Sequence, residues 1–91
     1  MKYDVIQTRT FRKSLKRMVR RGKEKSKLLK VVGLLAQGIP LPPEYKDHAL
    51  SGNLAGLRDC HIENDWALLY FILDNILTLT LSDTGIHSDL L

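Results

Sequence analysis

The chain has 91 residues, 44% of them apolar and 26% charged, with a net charge of +4, one cysteine and three histidines. That length admits one domain, residues 1–91, around a single modest core, and the composition is neither disordered nor collagen-like. A lone cysteine excludes an internal disulfide and a multi-cysteine zinc site; the longest apolar run, "WALLYFIL", is too short to span a bilayer; and "MKYDVIQTRT" lacks the apolar core of a secretory signal. A cytoplasmic protein without membrane contact is expected.

"YDVIQT" (3–8) alternates and reads as a first strand, with Tyr3, Val5 and Gln7 on one face. From Thr10 the period changes. Phe11, Leu15, Met18 and Val19 mark one side of a helix, with Arg12, Lys13, Lys16, Arg17 and Arg20 on the other, Thr8 or Thr10 as its N-cap and Gly22 as its end. Leu28, Val31, Val32 and Leu35 repeat the pattern in a second helix, until Gly38 and the prolines Pro40, Pro42 and Pro43 forbid continuation. Joined through "RRGK", the two helices are expected to form an antiparallel hairpin with a basic wet side. Residues 1–30 hold 12 of the 14 Lys/Arg against two acids, a balance of +10, while the remainder carries −6. Such a block suits a polyanion or an acidic protein partner, or is a solvated helix face.

The stretch 44–56 has Gly52, Gly56 and no period, and is read as a loop carrying His48. Three strands follow: "LRDCHI" (57–62), "WALLYFIL" (66–73) and "ILTLTL" (76–81), the last with Leu77, Leu79 and Leu81 inward and joined to its predecessor by a tight turn at Asp74 and Asn75. The expected fold is α+β: an N-terminal strand, a basic two-helix hairpin, then a three-stranded antiparallel meander packed on the helices.

Alternation puts Asp59 and His61 on one side of their strand and Arg58 and Cys60 on the other, with Asp65 and Trp66 just past the turn "END", near the His61 end. His48, before this strand, and His87, after the last, can reach the same end of the sheet. Converging, three imidazoles and a carboxylate would titrate near neutrality, as proton transfer to and from hydroxyls at neutral pH requires. Three histidines with Asp65 are also chemically able to hold zinc, although they lack the close paired spacing that usually marks such sites. Each histidine read alone is a surface or hydrogen-bonded structural residue. Trp66 is equally a core residue, and Arg58 the partner of Asp47, Asp59 or Asp65 rather than of a phosphate. No nucleotide-binding loop is present.

Taken together, "LPPEYKDHALSG", "RDCHIENDW" and "TGIHSDLL" resemble the YafQ branch of the RelE/ParE superfamily, toxins of type II toxin–antitoxin pairs, in order along the whole chain. The resemblance implies a ribosome-dependent mRNA endoribonuclease without cofactor or metal, in which the RNA's 2′-hydroxyl attacks the neighbouring phosphate. It implies a cognate antitoxin as partner, messenger and ribosomal RNA as targets, and operator DNA bound only through the antitoxin complex. His48, His61, Asp65 and His87 fall on the family's catalytic positions. His87 is expected as general acid or on the phosphate, His61 or His48 as base, and Asp65 as the group orienting an imidazole. Trp66 and Arg58 are expected to contact RNA. Two departures stand out: Asp83 where the family commonly has an arginine, and Leu91 where it has an aromatic residue. Asp83 gives weight to an alternative, a non-catalytic or ParE-like protein that acts by binding.

Overall fold

In the computed structural model, which describes residues 2–90, the chain runs through β1 (Asp4–Gln7), α1 (Arg9–Arg20), α2 (Lys25–Ala36), β2 (His48–Ala49), β3 (Arg58–His61), β4 (Trp66–Leu73), β5 (Thr78–Ile86) and a closing helical turn, α3 (His87–Leu90). The five strands form one sheet in the order β1-β5-β4-β3-β2. β1 pairs parallel with β5, and the other pairings are antiparallel. The α+β reading and the β3-β4-β5 meander hold, but the sheet is mixed and two strands wider than the meander alone.

Several boundaries differ from the sequence reading. His48 lies on a strand rather than in a loop, because His48 and Ala49 pair with Asp59 and Arg58. A two-residue strand has too little pattern to be recognised by period. The β4–β5 turn takes four residues between the paired Leu73 and Thr78, with Leu77 at φ 53° and 49% exposed, so Leu77 is not inward. β5 runs on to Ile86. The departure at Leu91 lies outside the described residues.

Both helices pack on one face of the sheet. Thr8 caps α1 by accepting a hydrogen bond from the Phe11 amide at 3.0 Å, which satisfies a donor that the first helical turn leaves free. Phe11 and Met18 of α1 and Leu28, Val31, Val32 and Leu35 of α2 are buried against Cys60, Trp66, Leu68, Tyr70, Leu79 and Leu81. The 3.6 periodicity of α1 fails at the rim, where Val19 remains 43% exposed.

A β-bulge decides what the other face carries. Leu69 pairs with Asp83 and Tyr70 with Leu81, so Ser82 is the extra residue. Leu79 and Leu81 point to the helices, and without the bulge Asp83 and Gly85 would follow them inward. The extra residue reverses the alternation: Thr84 and Ile86 turn to the core, and Asp83 and Gly85 turn outward. The outward face thus carries two cross-strand rows, His48-Asp59-Leu69-Asp83 and His61-Ala67-Gly85.

Candidate active site

The two rows bring His48, from β2, and Asp59 and His61, from β3, to one patch, and the chain delivers His87 to it directly after β5. The Asp59 carboxylate is at the centre and fully buried. His87 Nε2–H donates to Asp59 Oδ2 at 3.0 Å, and His48 Nε2 lies 3.8 Å from the same oxygen. The His61 and His87 ring centroids are 5.1 Å apart, tilted by 48°. His48 Nδ1–H donates to the Lys46 carbonyl at 2.8 Å, which leaves the lone pair of its neutral form on Nε2, the nitrogen nearest Asp59. Ala67 and Gly85, one with a methyl group and the other with no side chain, are the cross-strand neighbours in the row of His61.

Asp59 is unusual in its balance of bonds. Its Oδ1 is buried without a hydrogen-bond partner in the protein, which is costly for a carboxylate and marks a group kept for reasons other than stability. One ligating atom each from Asp59, His61 and His87 lie within 4.8 Å of one another, a two-nitrogen, one-oxygen donor set that fits a divalent transition ion.

The structure brings together the three expected histidines and places the side chains of Asp65, Trp66 and Arg58 outside the cluster. The carboxylate beside the imidazoles is Asp59, not Asp65. Asp65 has 60% of its side chain exposed and turns to Lys23 Nζ at 3.3 Å; only its backbone carbonyl reaches the cluster, accepting from the His87 amide at 2.8 Å. Trp66 offers no face to an RNA base: it is fully buried on the helix side, where its Nε1–H donates to Thr84 Oγ1 at 2.8 Å and Thr84 in turn donates to the Ala67 carbonyl at 2.7 Å. Arg58 points away from His61, as alternation requires, and donates to Asp47 Oδ2 at 3.0 Å; Tyr70 also donates to Asp47. That trio fastens the residue preceding His48 to β3 and β4.

The pKa directions agree with these roles. Burial pushes the Cys60 thiol well above its ordinary range, so it is not a nucleophile at neutral pH. Burial, and then the hydrogen bond to Asp47, push up the Tyr70 phenol and keep it a neutral donor. Around the β3–β4 turn, Lys23 and Lys27 donate to Glu63 at 2.8 and 2.7 Å and hold its carboxyl below the usual range. Alternation already put Asp59 with His61; its burial was not readable, because it depends on β2 and His87 closing over it.

Residues 3–91 match the family model described as the bacterial toxin of type II toxin–antitoxin systems, YafQ. The mRNA interferase toxin YafQ of Escherichia coli K12 is 38% identical over 88 residues, spanning 96% of this chain and 94% of that protein. A metal-bound toxin from Helicobacter pylori superposes with a TM-score of 0.91 at 42% identity, covering 98% of this chain and 99% of the other. A structure of the E. coli DinJ-YafQ complex superposes with a TM-score of 0.87 at 37% identity over 97% of both chains.

Proposed function

The chain belongs to the YafQ family of type II toxin–antitoxin toxins, and from that premise we propose that it is an mRNA interferase that cleaves messages on the ribosome by general acid/base chemistry. The observation that carries the reading is the cluster of His48, Asp59, His61 and His87 on the outward face of the sheet. Cleavage by the RNA's own 2′-hydroxyl moves two protons. A base takes the 2′-hydroxyl proton as that oxygen bonds phosphorus; an acid gives one to the departing 5′-oxygen, leaving a 2′,3′-cyclic phosphate.

His87 is the acid. The buried Asp59 accepts from its Nε2–H, fixes the ring and leaves Nδ1 to meet the leaving oxygen. His61 is the base, because its ring carries no side-chain hydrogen bond among the described residues and faces His87. His48, across the β2–β3 pairing from Asp59, has Nε2 3.8 Å from the same carboxylate oxygen and competes for it only in its protonated form. Asp65 acts through its carbonyl, which fixes the start of α3 and hence His87.

The basic helical hairpin suits ribosomal RNA by salt-dependent phosphate contacts. Its charge also suits an acidic antitoxin, and structural relatives include the DinJ-YafQ toxin–antitoxin complex of E. coli; operator DNA would then be reached only through such a complex. The metal-bound Helicobacter toxin and the Asp59, His61, His87 donor set favour one second reading, a resident divalent ion that supplies Lewis-acid stabilisation at the phosphate. Under the acid/base reading, cleavage survives dialysis against EDTA; its loss there and return with added ion would establish the second.

Expression without the antitoxin is expected to arrest growth and to produce new 5′ ends on translated messages, mapped by primer extension. His87→Ala should remove those ends, a loss of about 10²–10⁴ in rate, with an unchanged melting curve. Arrested growth with intact messages would point instead to a binding toxin of the ParE kind.

A further inference from the structure

The site as drawn has a deficit. A phosphodiester gains negative charge on its non-bridging oxygens as it reacts, and that charge needs a cation or aligned donors. Among the described residues no lysine or arginine side chain bonds Asp59 or any of the three imidazoles, and the outward row ends in another acid, Asp83. Suitable groups lie on the other side of the sheet, beside the strand that leads into His87. β1 pairs with β5 only as far as Leu81; the Ser82 carbonyl accepts from Thr8 Oγ1 at 2.9 Å, and from Asp83 onward no strand pairs with this edge of β5 among the described residues. There a crevice of about 60 Å³ is lined by Ser14 and Arg17 of α1, by Arg21 at its C-cap, by residues 83–86 of β5 and by Asp89, two residues beyond His87.

Positions 14, 17, 18 and 21 form one stripe of the helix and its end. Ser14 and Met18 are buried against the sheet and fix that stripe in place, which delivers the two guanidiniums to the free edge. Arg21 is only loosely engaged, 3.9 Å from an exposed Asp89, and the exposed Arg17 side chain makes no hydrogen bond or ion pair among the described residues. We infer that Arg17, assisted by Arg21, is the phosphate-binding cation of this site, reaching the RNA around the free edge of β5 from α1. The inference rests on the RNA-cleaving reading of the histidine cluster. Arginine suits the task because its planar fork meets two phosphate oxygens at once while the positive charge persists at any working pH. It also explains how a site with Asp83 on its face can still attract a polyanion.

The test uses the full chain and a single-stranded RNA methylated at every 2′-oxygen, which binds but lacks the attacking hydroxyl, followed by fluorescence anisotropy at several salt concentrations. Arg17→Gln is expected to weaken binding about tenfold and to lower the salt slope by about one. Lys16→Gln, which removes the same charge from the groove lined by Leu15 and Val19, should weaken it less. Equal losses in the two variants would make Arg17 one charge among many and overturn the inference. So would full recovery of binding in Arg17→Gln/Asp83→Asn, since Arg17 would then serve only to offset Asp83. A specific loss in Arg17→Gln, together with a wild-type protein that leaves translated messages uncut, would uphold the phosphate site and remove the nuclease.

Discussion

Asp59 is the residue on which the site turns. A carboxylate with no exposed surface and one oxygen without a partner destabilises the fold that contains it, and its bond to His87 offsets that cost only in part. Asp59→Asn keeps the shape and removes the charge. It is expected to melt at or above the wild-type temperature while cleavage drops about a hundredfold, the signature of a group retained against stability. Wild-type cleavage by this variant in primer extension would dismiss Asp59 from the mechanism. The same residue measures what sequence can reveal. Period-two alternation was enough to pair Asp59 with His61 and to turn Arg58 away from it. Alternation gave no sign that Asp59 rather than Asp65 would meet the imidazoles, because that depends on the β3–β4 turn being drawn toward Lys23. Trp66 was equally open until its indole N–H found Thr84 inside the core.

At the scale of elements, the long periodic segments were legible and the short ones were not. α1, α2 and β4 follow their patterns closely; β2 has two residues, and the end of β5 breaks its own pattern. The site depends on these less regular parts, and they are held by side chains. Lys23 and Lys27, at the α1–α2 junction, grip Glu63 in the turn whose Asp65 carbonyl holds the His87 amide. Glu63 has its pKa lowered by these lysines, so its contribution is present above the ordinary carboxylate range and is lost as pH falls through its folded value. Lys23 and Lys27 have theirs raised, so their share persists up to alkaline pH. In thermal melts across the acid range, the Lys23→Ala/Lys27→Ala double variant should start lower at neutral pH and lose less on acidification than the wild type. Parallel curves would show that the grip contributes nothing.

On the scale of the molecule, the charge asymmetry of the sequence becomes a division of layers: a basic helical layer on one side and, on the other, a sheet face with two acids in its histidine row. Among the described residues no helix is long and apolar enough to cross a membrane. Ribosome association through the basic layer should weaken at least tenfold between 50 and 200 mM salt, as sedimentation would show, whereas chemistry in the preformed complex should change little. Salt-independent association would deny the helical layer its part. The whole fold was readable in class because its core follows from two periodicities, while its width was not, since β1 joins β5 across the entire chain.

The extra residue at Ser82 has a consequence for how such a chain can change. Point substitutions alter what a position offers, but they leave the odd-and-even count along β5 alone. Losing the single codon of Ser82 would set Asp83 directly after Leu81 and restore one-to-one pairing with β4, with Asp83 and Gly85 still outward and Thr84 still toward the helices. A neighbouring protein one residue shorter in β5 could therefore present the same face, and the bulge lets the sheet absorb an inserted codon without turning the site inside out.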